Sequence, residues 1–255
     1  QITDMNNNYQ IIAKRLMLPE KQVENTILLL NEGCTIPFIA RYRKERTGSL
    51  DEVQIAAISE QYAKVQELTK RKDTICKTIE EQGKLTADLK RKIEATWDPT
   101  ELEDIYLPFK PKRRTKAQIA RENGLEPLAT ILLLQREQQP EAVAKRFLKG
   151  DIKSVDEALA GAKDIIAEAI SEDETVRQQI RSVFRREAVI TSKAVKSKRE
   201  EEGAQKFADY FEFSEPLKRC SSHRLLAMRR GESEGFLKVN IDVDGEQCTE
   251  KIRRK

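Results

Sequence analysis

The residues best placed to do chemistry in this sequence are cations. Lys110, Lys112, Arg113, Arg114 and Lys116 lie in a stretch, Ile105 to Ala120, that contains no aspartate or glutamate. Basic side chains without counter-ions attract phosphates, through contacts that weaken steeply as salt rises. Pro108 precedes the group and Pro111 lies within it. Proline disfavours helix at the residue before it, so the segment reads as extended chain that presents its side chains. These five residues are the first candidates for a phosphate contact, with Arg229 and Arg230 behind them.

Two other basic groups invite the same question. Arg41, Arg43, Lys44 and Arg46 surround Tyr42. Glu45 is interleaved there and the flanking Ile36, Phe38 and Ile39 look like core residues, so structural ion pairing is the preferred reading over phosphate contact. Arg185, Arg186, Lys193, Lys196, Lys198 and Arg199 share one acid, Glu187. With 47 basic and 43 acidic residues, such groups also arise by chance and pair with acidic neighbours. The net charge of +4 is too small to decide the matter by itself.

Bond-making chemistry is poorly represented. The single histidine, His223, stands beside Ser221 and Ser222, but no nucleophile elbow surrounds them, and a capping or structural role fits better. Neither Gly-rich phosphate loop, Gly-x-x-x-x-Gly-Lys-Ser/Thr or Gly-x-Gly-x-x-Gly, occurs. The carboxylates of Glu101, Glu103 and Asp104, and of Glu200 to Glu202, sit in charged helical runs and read as solvated faces. Cys34, Cys76, Cys220 and Cys248 are far apart, which suggests neither a zinc site nor a disulfide framework and fits free thiols in a reducing cytoplasm. The expectation is therefore a non-enzymatic, cytoplasmic protein with no cofactor, no metal and no small-molecule substrate. No apolar run reaches the length of a membrane span, so no membrane partner is expected.

The elements that must position these cations are helices. Charged residues make up 35% of the chain and aromatics 5%, a balance suited to helices with narrow apolar stripes. An amphipathic segment runs from Tyr9 to Leu16. Pro19 opens a helix carrying Val23, Ile27 and Leu30, and Gly33 ends it. Ile36 to Gly48 reads as irregular. Ser49 and Glu52 form a capping-box pattern before a helix from Asp51 to Gln82, which has neither Pro nor Gly. Its stripe of Ile55, Ile58, Tyr62 and Val65 resumes with a phase shift at Leu68, Ile75 and Ile79. The polar gap between, Thr69 to Asp73, leaves part of the helix either exposed or packed on something outside this chain. Gly83 stops the helix, Thr86 caps another reaching Trp97, and Asp98-Pro99 starts a short one.

Helices then follow at Thr115 to Asn123, Glu126 to Arg136, Pro140 to Leu148, Val155 to Ser171 and Asp173 to Glu187, with a charged one from Glu200 to Phe211. Ser222 caps a helix to Arg230, ended by Gly231. Alternation at Leu237, Val239, Ile241 and Val243, with Asp244-Gly245 before Glu246 to Ile252, predicts a β-hairpin. Lys116 to Arg136 has the spacing of a helix-turn-helix, with Ile119, Ala120, Gly124, Leu125 and Leu133 in place. Its second helix, however, carries Leu128, Ala129, Ile131, Leu132, Leu133 and Leu134 around almost the whole circumference. A recognition helix must show polar groups to base edges. The shape is thus expected without sequence-specific reading.

The same segments carry a resemblance. Ile36-Pro-Phe-Ile-Ala-Arg-Tyr-Arg-Lys-Glu-Arg-Thr-Gly48 with Leu50-Asp51-Glu52, then Leu102 to Ala117 continuing from Ala120 to Ala129, then Tyr210 to Arg219 with Ser222 to Gly231, resemble the signatures of the Tex family in the family's own order. The resemblance implies a bacterial transcription accessory protein, related to a eukaryotic elongation and chromatin factor. It also implies a chain that forms the N-terminal part of a longer protein. That protein continues into an RNase H-like domain of the YqgF type, helix-hairpin-helix elements and an OB-fold that is the main RNA-binding unit.

The fold expected is mainly α: an elongated multi-helix scaffold with a long central helix, a helix-turn-helix-like subdomain and a small C-terminal β-hairpin. Three regions are expected. Residues 1–106 form an N-terminal helical region with the long helix at about 51–82. Residues 107–215 form the helix-turn-helix-like helical subdomain. Residues 216–255 form a short helix and hairpin leading toward the RNase H-like domain. The function expected is support of non-sequence-specific RNA or DNA binding by the full-length protein. The alternative is a scaffold that docks on the transcription machinery without touching nucleic acid, which the exposed part of the long helix favours.

Overall fold

The computed structural model describes the backbone of residues 2–254 and the side chains of residues 8–254. It is mainly α, and its contacts divide the chain between Phe109 and Lys110.

In the first unit, α1 (Ile2–Leu16), α2 (Glu20–Asn31), α3 (Ile36–Tyr42), α4 (Lys44–Thr47), α5 (Glu52–Glu81), α6 (Ala87–Ala95) and α7 (Pro99–Tyr106) follow one another through short turns. The segment expected to be irregular is instead the two short helices α3 and α4. Pro37 falls in the first turn of α3, where no intrahelical N–H is lost. Gly33 and Gly83, the expected stops, both take positive φ. The cap of α5 falls two residues later than the Ser49 pattern predicts. Asp51, not Ser49, accepts from the Gln54 N–H at 2.8 Å, and the Gln54 side chain accepts from the Asp51 N–H at 3.1 Å. Ser49 takes a left-handed conformation outside the helix. Asp51→Ala is expected to lower stability by about 1 kcal/mol, read as a drop in the urea midpoint at unchanged slope.

α5 has 30 residues and is about 45 Å long. Its N-terminal half packs Ile55, Ile58 and Val65 with Ile12, Val23, Ile27, Leu29 and Ile39. Its C-terminal half packs Leu68, Ile75 and Ile79 with Ile93, Leu102, Ile105 and Tyr106. The phase shift lies where the helix passes from one core to the other. In the polar gap Lys70 and Asp73 are exposed and Thr69 and Arg71 are half-buried. Lys72 is buried there, completing the stripe Leu68, Lys72, Ile75, Ile79. Its Nζ donates to the Glu94 carbonyl at 2.7 Å and lies 3.5 Å from the centre of the Trp97 ring. Burial pushes its pKa down from 10.5 to about 8, against the pull of the Glu94 charge.

In the second unit, α8 (Lys116–Glu122) and α9 (Glu126–Leu133) both lie on α11 (Val155–Glu172), with α10 (Pro140–Ala144) alongside; α12 (Glu174–Glu187) follows. Ala117, Ala120, Leu125, Leu128, Ala158, Ala162 and Ile165 form the core. α9 is not buried all round: Leu133 is 53% and Leu134 58% exposed. Of the helix expected from Glu200 to Phe211, only a 3-10 stretch, Ala204–Tyr210, forms.

The chain then makes a small antiparallel sheet of β1 (Val189–Ala194), β2 (Glu212–Pro216) and β3 (Leu237–Asp242), in the order β2-β1-β3, with α13 (Ser222–Ser233) between the last two strands in sequence. The expected hairpin is absent. Its first strand is β3, which pairs with β1, Ile190 opposite Ile241. Its second strand is a helix, α14 (Gly245–Arg253). The Asp244 carboxylate accepts from the N–H groups of Glu246 and Gln247, so Asp-Gly begins a helix instead of closing a turn. Cys248 and Ile252 are four apart, a helical spacing, and are buried and half-buried. β1 is absent from the sequence reading, and the sheet draws strands from both sides of the 215/216 border. Gly231 does not end α13 but lies buried inside it. Ser221, one residue earlier than expected, is the capping position and makes no side-chain cap bond.

Candidate nucleic-acid interface

A 3-10 turn, Leu107–Phe109, leads into a segment without regular structure, 110–115, which ends where the Thr115 hydroxyl accepts from the Gln118 N–H to cap α8. Lys110, Lys112, Arg113, Arg114 and Lys116 are all exposed. They are not equivalent. Lys112 pairs with Glu172 and, at 3.8 Å, with Glu168, both on α11. Arg114 pairs with Glu122 of α8 at 2.6 Å. Lys110, Arg113 and Lys116 have no ion-pair partner among the described residues.

Glu168 organises the segment. It accepts from the Thr115 hydroxyl at 3.0 Å and from Arg121 at 2.6 Å. Burial pushes its carboxyl up, but the hydrogen bonds from Arg121 and Thr115 and the charge of Lys112 outweigh burial and hold it below the usual carboxylate range. The Glu122 carboxyl is likewise held low, chiefly by its bond from Arg114. Two cations and a hydroxyl thus tie the segment to α8 and α11, leaving the remaining three cations on a backbone held at several points.

The second-rank candidates are engaged on α13. Arg229 pairs with Glu232 at 2.6 Å and Arg230 with Glu234 at 2.9 Å, and Lys206 shares Glu234. Both carboxyls are held low by these partners: Glu232 mainly by Arg229, and Glu234 by Lys206 and then Arg230.

The group from Arg185 to Arg199 is freer than its sequence suggests, because Glu187 turns to Lys251 at 3.6 Å. Arg185, Arg186, Lys193, Lys196 and Lys198 have no ion-pair partner among the described residues, and Arg199 stacks over Phe211. Pairing of β1 with β3 places Lys193 directly opposite Lys238. Sequence reasoning missed Lys238, since its neighbour on the sheet becomes visible only once β1 is recognised.

The outward face of α9, Glu126, Pro127, Thr130, Leu133 and Leu134, carries no cation or amide to read bases. His223 is exposed, its Nε2 3.4 Å from the Ser221 hydroxyl, and no carboxylate completes that pair among the described residues. Among the described residues, no group of three or more His, Cys, Asp or Glu could hold a metal ion, and no helix is long and apolar enough to cross a membrane. All four cysteines are free thiols.

Residues 6–80 match the family model of the Tex-like protein N-terminal domain, and residues 135–255 match that of the Tex central region. The chain belongs to the Tex family. A relative from Neisseria gonorrhoeae named transcriptional accessory protein Tex is 46% identical over 235 residues, 92% of this chain and 31% of the relative. Protein YhgF of Escherichia coli K12 is 45% identical over 243 residues, 94% of this chain and 31% of that protein. The human S1 RNA-binding domain-containing protein 1 is 28% identical over 242 residues, 92% of this chain and 24% of its own length. The chain therefore spans about a third of the length of its Tex-named relative. The matched regions take in α2 to α4 and the whole sheet, while the cations of 110–116 lie between the two family models.

Proposed function

We propose that this chain is a helical module of a transcription accessory protein and helps the whole protein hold RNA or DNA through its phosphates, without reading sequence. One observation carries the proposal: Lys110, Arg113 and Lys116 stand unpaired on a segment whose neighbouring cations are spent on Glu122, Glu168 and Glu172. Ordering the backbone in advance spares part of the entropy that a free basic tail gives up on binding. The absence of a base-reading surface on α9 fits contact that is indifferent to sequence.

Fluorescence anisotropy with a labelled duplex at several salt concentrations tests this reading. Replacing Lys110, Arg113 and Lys116 together by alanine is expected to weaken binding and to lower the slope of log K against log salt by roughly 0.9 for each phosphate that is no longer neutralised. An unchanged slope overturns the assignment. The rival reading, docking on the transcription machinery, keeps Lys70 and Asp73 exposed in the polar gap of α5 but loses Lys72, which is buried. It retains Leu133 and Leu134, and recovery of polymerase subunits after nuclease treatment would favour it.

A further inference from the structure

Ion pairing, the reading that Glu45 suggests for the group around Tyr42, holds for one cation only: Arg46 pairs with Glu32 at 3.6 Å. Arg41, Arg43 and Lys44 have no ion-pair partner among the described residues, and neither has Glu45. Nor is Phe38 core: it is 37% exposed, and Tyr42 is 61% exposed. The helix explains this. Ile39 and Ala40 turn into the core, while Phe38, Arg41 and Tyr42, at spacings of three and four, share the outer face. The two rings lie 5.3 Å apart, and the Arg43 guanidinium stacks over Phe38 at 4.9 Å while donating to the Tyr42 carbonyl at 3.0 Å.

We infer that this face of α3 is a stacking platform for unpaired bases of a single-stranded nucleic acid. Exposed aromatic rings gain from being covered, and a base, whatever its identity, has a flat face that stacks on them. The charge beside the rings is complementary to the phosphates that accompany each base. Three unpaired cations face one unpaired acid in the same segment. A duplex offers the cations the same phosphates but keeps its bases stacked on one another, so the rings select for single strands. The inference rests on the nucleic-acid reading above and specifies which form of nucleic acid this unit prefers.

The test is anisotropy of the full chain with labelled oligouridine and oligothymidine of about ten nucleotides, and with a hairpin duplex, at low salt. Tyr42→Ala is expected to weaken single-strand binding about ten-fold and duplex binding less than about two-fold, with Tyr42→Phe close to wild type, as removal of one stacked base predicts. An equal effect on both substrates, or none on single strands, overturns the platform and leaves the surface to a protein partner. The triple variant of Lys110, Arg113 and Lys116 is measured in parallel. If it alone weakens binding, the platform fails and the proposed function stands. If Tyr42→Ala alone does so, the 110–116 site fails and the platform stands. If wild type binds neither probe, both fall.

Discussion

Lys72→Met should be more stable than wild type at neutral pH, and wild type should gain on it by up to about 3 kcal/mol as pH rises from 8 to 10.5, enough to reverse the order. The ammonium of Lys72 is buried beneath Trp97 with one hydrogen bond, to Glu94. Its pKa falls to about 8 in the folded chain, from 10.5. Below pH 8 both states are protonated, and the folded state carries the full cost of burying the charge. Between pH 8 and 10.5 the unfolded chain binds more protons than the folded one, so wild-type stability rises with pH. Above 10.5 both are neutral and the gain is complete. Each pH unit of that gap is worth about 1.4 kcal/mol. Methionine fills a similar volume without a charge. It gives up the ring contact and leaves the Glu94 carbonyl without this donor, which sets the net advantage at neutral pH at roughly 1–2 kcal/mol. Urea denaturation of both proteins at pH 7, 9 and 10.5 reads the effect. Parallel curves would sink the lowered pKa of Lys72 and with it the cost of burying its charge.

Gly231→Val should lower stability by about 3 kcal/mol. A Cβ at this buried position of α13 would lie 2.6 Å from Leu237 Cδ1, 2.9 Å from Leu237 Cγ and 3.0 Å from Phe207 Cδ1. Leu237 begins β3 and is itself buried, so its side chain has little room to retreat. Overpacking of this kind typically costs about 1–3 kcal/mol, and valine's two γ-methyl groups, held at χ1 by its branching, put the cost at the top of that range. Gly231→Ala offers a control. It meets the same neighbours but gains up to about 1 kcal/mol of helix propensity, so its destabilisation should be clearly smaller. A thermal midpoint unchanged in the valine variant would show that α13 and β3 leave room between them for a side chain.

Much of this architecture was legible because helices announce themselves locally. The stripe of α11, the proline starts of α2, α7 and α10, and the glycine stops at Gly33 and Gly83 are all short-range signals. The sheet was not legible, because its partners are remote. Val189 to Ala194 pairs with strands that lie well beyond its own neighbourhood in the chain, β2 at Glu212–Pro216 and β3 at Leu237–Asp242. Nothing near β3 distinguishes a hairpin from a strand followed by a helix except the spacing of Cys248 and Ile252. Within the polar gap of α5, Lys72 misled for a different reason. A lysine in an apolar stripe looks like an interruption until Trp97 and the end of α6 are brought over it.

The candidate interface divided in the same way. That Ile105 to Ala120 lacks acids is visible in the sequence, but the carboxylates that take Lys112, Glu168 and Glu172, come from the far end of α11. Spacing alone could not separate anchoring cations from free ones. Around Tyr42 the error ran the other way. Glu45 is close in sequence and looks like a partner, yet a neighbour in a tight helix-to-helix bend need not reach the charge beside it.

Because one uninterrupted helix, α5, forms a wall of two separate cores, neither half of the first unit can melt without stripping apolar cover from the backbone the other half depends on. Amide protons midway along that rod should exchange with solvent only when the entire unit opens, and they should be among its slowest. A rod of this kind also makes a lever. Strain applied near Ile55 would reach Ile79 with little bending, a mechanical property that short helices joined by turns cannot offer.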